Sequence, residues 1–166
     1  MKNLLTAARL QEVLNYNCES GVFTWRLTIG SRAKVGNIAG GKDSYGYWCI
    51  KLDGTTHKGH RLAWLYVHGH FPKNLIDHRD GDVGNNAILN LRDATTFINQ
   101  QNQRHPHSAN KTSNLLGVSK GASRKKYISQ INFDGKPQHL GCFTTAEAAH
   151  AAYLSAKRLL HPGCTI

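Results

Sequence analysis

Apolar positions recur at helical spacing at the start of the chain, where Leu10, Val13 and Leu14 mark one face behind Thr6, a residue suited to cap a helix. Leu5 and Leu10 flank that cap at the positions of a hydrophobic staple. The period then changes to strict alternation. Residues 22–27 read as a strand, 28–46 as loop or irregular strand, and 46–52 as a second strand with Trp48, Ile50 and Leu52 on one face. Asp53-Gly54 is a hairpin turn that leads into a return strand near 55–58. Leu62, Leu65 and Tyr66 restore the helical spacing, and Gly69 with Pro72 ends that helix. A short strand at 75–78 follows, then a helix over roughly 94–102 with Asp93 as its N-cap.

Residues 103–114 hold a single apolar side chain and read as a linker. Beyond it the pattern restarts with short strands at 115–119, 127–133 and 139–143, the last two joined by Asp134-Gly135. Thr144 with Glu147 has capping-box spacing, and Ala149, Ala152, Tyr153, Ala156 and Leu160 fall on one side of the helix that follows. The pattern predicts an α+β chain: a larger N-terminal unit, then a small three-stranded antiparallel sheet with one helix.

Charge narrows the class of partner. The chain has 21 Lys and Arg against 10 Asp and Glu, a net charge of +11. Such an excess repels itself in a compact state, so it points to a polyanion, nucleic acid ahead of an anionic membrane surface. No apolar run approaches the roughly 18 residues of a spanning helix, and the N-terminus has no signal-peptide core, so a cytoplasmic location is expected. Cys18, Cys49, Cys142 and Cys164 show neither zinc-knuckle spacing nor a disulfide framework.

The chemistry-bearing stretch runs from Ile76 to Asn99. It contains Asp77-His78, a turn at Asp80-Gly81-Asp82, then Asn85, Asn86, Asn90 and Asn99. Two readings fit these residues. In one, His78 activates a water, because an imidazole accepts a proton at neutral pH. Asp77, on the opposite side of an extended strand, then supplies an oxygen to Mg²⁺, and Asn99 supplies an amide oxygen. In the other, Asp, Asn and Gly serve only a polar turn.

Resemblance separates the two. His60-Arg61-Leu62-Ala63-Trp64, the run Ile76-Asp77-His78 with Gly81, Asp82 and Asn86, and Asn90-Leu91-Arg92 with Ala94, Thr95 and Asn99 resemble the HNH endonucleases of bacteriophages. These include homing-type nicking enzymes built on the ββα-metal motif. Gly21, Phe23, Trp25, Gly46 and Tyr47 extend the likeness across most of residues 1–103. The resemblance implies His78 as general base, Asp77 and Asn99 as ligands of one Mg²⁺ or Mn²⁺, and Asn90 as the residue that stabilises the motif. The family usually has Asp-Asn-Arg where this chain has Asn85-Asn86-Ala87, so a basic residue is missing there. His60 and Arg61 either contact phosphate or serve packing and capping.

In the second unit the strand at 127–133 puts Ile128, Gln130 and Asn132 on one face and Tyr127, Ser129, Ile131 and Phe133 on the other. Asp134 is the only acid between Gln100 and Leu140. This face is either an ordinary solvated one or a reader of base edges. Gly117-Val118, Tyr127, Gln130-Ile131, Leu140-Gly141, Phe143, Thr145, Glu147, Ala149, Ala152 and Tyr153 resemble the Apetala/ethylene-response-factor DNA-binding domain. That resemblance implies a sheet in the major groove. Ser119, Lys120, Gln130, Asn132 and His139 would face DNA, with Arg124 and Lys126 near the backbone.

The expectation is therefore a nuclease domain at 1–103, a linker at 104–114 and a DNA-binding domain at 115–166. They would act together on double-stranded DNA, as monomer or homodimer, in the cytoplasm of a bacterial host. The alternative is a DNA-binding regulator or recombination accessory protein without catalysis.

Overall fold

A computed structural model describes residues 5–106, 110, 113–121 and 126–166. The chain is α+β and divides into two compact units, Met1–Thr95 and Thr96–Ile166. No helix among the described residues is long and apolar enough to cross a membrane.

The first unit opens with α1 (Ala7–Val13), whose N-cap Thr6 accepts a hydrogen bond from the Arg9 amide at 3.2 Å. Leu14, placed on the helix by its spacing, instead starts β1 (Leu14–Tyr16), because the chain turns extended there to pair antiparallel with β2 (Phe23–Trp25). A second sheet has the order β3 (Gly41–Lys42), β4 (Trp48–Leu52), β5 (Thr55–Lys58). Its hairpin turn puts Asp53 and Gly54 at φ +47° and +78°, the paired left-handed geometry that a two-residue hairpin with right-handed twist requires. Then α2 (Gly59–His68) buries Leu62, Ala63 and Leu65 in a core shared with Leu10, Val13, Phe23, Trp25, Ile50 and Leu52.

After α2 the chain forms β6 (Leu75–His78), a 3-10 turn at Ile88–Asn90, and β7 (Leu91–Ala94), which pairs antiparallel with β6. The sequence pattern missed β7. Asp93 does not cap a helix. It lies in β7, and its carboxylate accepts from the Lys73 and Asn74 amides at 3.0 and 3.1 Å. The helix that follows, α3 (Thr96–Gln101), is therefore shorter than its expected span, and it groups with the second unit.

The second unit contains a sheet of order β10 (Lys136–Phe143), β9 (Tyr127–Phe133), β8 (Val118–Lys120), all antiparallel, and one long helix, α4 (Ala146–Leu160). The α4 cap is Thr145, which accepts from the Ala148 amide at 3.2 Å. Thr144 does not cap, so Glu147 lies one position too early to complete the expected box. Ala146, Ala149 and Tyr153 face the sheet, as the small-residue spacing predicts. Lys157 is buried as well, 1% exposed, with Nζ donating to the Gln103 carbonyl. The tail folds back on α3: the Gly163 amide donates to Gln101 Oε1 at 2.9 Å and Thr165 Oγ1 to Asn102 Oδ1 at 2.6 Å.

Candidate active site

The β6–β7 hairpin sets the site. Register pairs Asp77 with Arg92 and His78 with Leu91, so Asp77 and Arg92 share one face of the ladder and His78 turns to the other. Arg92 Nη2 and Nε reach the same carboxylate oxygen, Asp77 Oδ2, at 2.6 and 2.8 Å. Both side chains are largely withdrawn from water, at 7% exposure for Asp77 and 15% for Arg92. A guanidinium so placed fixes the plane of the carboxylate.

The loop from β6 to β7 is tied by amides. Asn90 Oδ1 accepts from the Asp80 amide at 3.0 Å, while its Nδ2 donates to Asp80 Oδ1 and to the Asn85 carbonyl, each at 2.9 Å. Asp80 also accepts from Asn85 Nδ2 and the Asp82 amide, and Asp82 Oδ1 accepts from Gly84. Asp80 and Asp82 are thus turn residues, and Asn90 is the knot that closes the turn.

Asn86 lies beneath His78. It is 2% exposed, and its Oδ1 stands 3.5 Å from His78 Nε2, the long limit of a hydrogen bond. Its Nδ2 donates to the Gly84 carbonyl, which orients the amide with oxygen toward the imidazole. An amide oxygen only accepts, so this contact selects the tautomer with the proton on Nε2. Tyr16 Oη donates to the Asn86 carbonyl at 2.7 Å, and the Ile88 amide to the Cys18 carbonyl at 3.0 Å. Gly21, at φ +71°, permits this closeness, since a Cβ there would lie 2.3 Å from the Asn86 carbonyl carbon.

Rings close the other side. The His60 ring stands edge-on to the His78 ring at 5.1 Å and 88°, and Tyr47 lies 5.5 Å from His60 and 6.2 Å from His78. Asp43 holds the turn before Tyr47 by accepting from the Tyr45 and Tyr47 amides and pairing with Lys58. Burial pushes His60 down to about 4, helped by the cationic neighbours Arg61 and Lys58 and by His78. Burial also lowers His78, against the hydrogen bond it makes to Asn86 and the opposing carboxylates of Asp80, Asp77 and Asp82. Both imidazoles are therefore neutral at pH 7. His60 is 9% exposed, with no hydrogen-bond partner on Nδ1 among the described residues, and Arg61 is half-buried over the Phe71 ring at 5.4 Å.

The buried Asp-His pair and the amide-knotted loop lie in a segment that has a family match. Residues 57–103 match the HNH endonuclease family. Over 81 residues the chain is 37% identical to Protein 3.8 of Escherichia phage T7, a match covering 48% of this chain and 64% of that protein. The aligned part is thus less than two thirds of the relative's length. No solved structure matches the chain.

Within the HNH segment, three of the expected residues come together: Asp77, His78 and Asn90 all belong to the β6–β7 hairpin and its loop. Asn99 sits half-buried on α3, in the second unit. Among the described residues no three His, Cys, Asp or Glu side chains gather as metal ligands. An ion at Asp77 would therefore take few protein donors. A carboxylate oxygen such as that of Asp77 suits Mg²⁺, which keeps waters and substrate phosphate in its shell.

In the second unit, cross-strand pairs put Ser119 opposite Ile128, His139 opposite Gln130 and Pro137 opposite Asn132. Ser119, Gln130, Asn132 and His139 therefore share the face away from α4, while Ser129 and Ile131 are buried against it. Lys120 pairs with Tyr127, which places it on the helix side at the end of β8, and Lys126 is exposed. Arg124 lies outside the described residues.

The sequence reading missed Asn86 as the contact of His78 and Arg92 as the partner of Asp77. Asn86 stood in the motif, but only a folded loop carries it under the imidazole. Arg92 was legible once β7 was drawn opposite β6.

Proposed function

We propose that the chain is a metal-dependent DNA endonuclease of the phage homing type. Residues 1–103 would cut, 104–114 would link, and 115–166 would hold duplex DNA as an Apetala/ethylene-response-factor-like domain. The observation that carries this reading is the Asp77-His78 pair with a neutral, Asn86-oriented imidazole inside the segment that matches the HNH endonucleases.

His78 is the general base. With Nε2–H directed at Asn86, Nδ1 accepts the proton of a water that attacks phosphorus in line. Asp77, with Asn99 named by family resemblance, would hold one Mg²⁺ or Mn²⁺, which when bound stabilises the charge on the phosphate and on the leaving 3′-oxygen. Asn90 keeps the loop closed beside the base. Arg61 offers charge to the phosphate, and His60 packs behind His78. One such centre cuts one strand per visit, so a monomer nicks, and a double-strand break needs a second protomer or a second visit.

The row of exposed Gln130, Asn132 and His139 with half-buried Ser119 supports the second role, because amides pair with adenine edges in the major groove. Lys126 would hold phosphate, with Arg124 assigned there by resemblance, whereas the strand register turns Lys120 away from the face expected to meet DNA. The test is conversion of supercoiled plasmid to open circle by the full chain with Mg²⁺. EDTA should stop conversion and leave DNA binding intact. Binding without cutting under any divalent ion would leave only the accessory-protein alternative.

A further inference from the structure

Between β2 and β3 the chain makes an excursion that the nuclease reading does not use. Residues 26–38 leave β2 and return to it: the Gly36 amide donates to the Trp25 carbonyl at 2.8 Å, and the Trp25 amide to Asn37 at 2.9 Å. Ile38 bridges to Thr24, and the Ala39 amide donates to the Phe23 carbonyl at 2.8 Å. Inside the excursion, Ile29 donates to Ala33 at 3.0 Å, Asn37 to Lys34 at 3.0 Å, and Val35 to Thr28 Oγ1 at 3.3 Å. The loop is therefore tied back to β2 and across itself.

That loop displays aliphatic side chains to water. Leu27, Ile29, Val35 and Ile38 are 42%, 49%, 62% and 59% exposed. The same stretch carries the exposed cations Arg26, Arg32 and Lys34, and no Asp or Glu occurs between Glu19 and Asp43. Arg26 is engaged by the Gln11 carbonyl. An exposed apolar stretch interleaved with positive charge suits a partner that is anionic and offers apolar walls. A second copy of a chain carrying +11 would be repelled. Duplex DNA has both properties, because groove walls expose deoxyribose and base steps between rows of phosphate, and proteins press aliphatic side chains there.

We propose that residues 27–38 form a second DNA-contacting surface, located on the nuclease unit. Val35, Ile38, Ile29 and Leu27 press into a groove, and Arg32 and Lys34 sit on the flanking phosphates. The inference rests on the reading that the chain acts on DNA, and it adds a contact that does not depend on the second unit's sheet.

The test measures binding of the full chain to a mixed-sequence duplex in EDTA across a salt series. The variants are Arg32→Ala/Lys34→Ala and Val35→Ser/Ile38→Ser, with thermal unfolding as a control for folding. Loss of two phosphate contacts should flatten the log–log salt dependence by about 2. The serine pair should weaken binding by about tenfold with the salt dependence unchanged. If the original chain binds DNA and both variants bind as it does, the loop has no such role. If the serine pair dissolves a self-associated form while DNA affinity holds, the stretch is a docking face between copies and the proposal fails. Absence of duplex binding by the original chain would defeat the DNA reading itself, and this inference with it.

Discussion

Arg92→Met tests whether the ion pair across the β6–β7 ladder organises the site. Methionine keeps most of the apolar stem and removes the guanidinium that lies 2.6 Å from Asp77 Oδ2. With charge centres about 4 Å apart and an effective dielectric of about 20, the lost attraction is on the order of 4 kcal/mol. Removing one partner of a buried pair typically costs about 3–5 kcal/mol, and the residual exposure of Arg92 argues for the low end, about 3 kcal/mol. All three tryptophans, Trp25, Trp48 and Trp64, lie in the first unit, so their fluorescence reports its unfolding. Urea titration in EDTA should move the midpoint down by roughly 1–3 M at the slopes usual for small proteins. Asp77→Asn/Arg92→Met, which removes both charges, should be milder than the single variant. A shift below about 0.5 M, or a double variant as unstable as the sum of the singles, would refute the reasoning.

Other predictions follow the same geometry. Unfolded His60 takes up a proton near pH 6.5 and folded His60 only near about 4, so the first unit's stability is full above 6.5 and falls as pH drops toward 4. The loss amounts to roughly 3 kcal/mol, His78 adds in the same sense, and His60→Phe should flatten the fluorescence-monitored profile. Gly21→Ala places a Cβ against the Asn86 backbone at positive φ and should cost more than about 2 kcal/mol in urea titration. Asn86→Leu removes the acceptor that orients His78, so single-turnover nicking should slow about 100-fold while duplex affinity in EDTA is kept.

Much of the architecture was legible because local chemistry and tertiary packing agree. Thr6, the Asp53-Gly54 turn and the alternation through β9 each point the same way as the fold. The misreadings share a cause. Residues 91–94 place Arg92 and Asp93 in the middle of a four-residue strand, and such a short polar run carries no strand signal until β6 is set beside it. Lys157 reads as surface, yet its ammonium finds the Gln103 carbonyl and its stem fills space beside Tyr153. At the site, Asp77 and His78 were readable as a pair because they are adjacent. Asn86 and Arg92 were not, since one works through loop closure and the other through strand register.

The central claim is that His78 is the base of a phosphodiester hydrolysis. It is tested most directly by single-turnover conversion of supercoiled plasmid with Mg²⁺, comparing His78→Ala with the original chain under conditions where both bind DNA equally. The account predicts that the original chain nicks and that His78→Ala loses at least about 100-fold in rate. Equal cutting by the two proteins would contradict it.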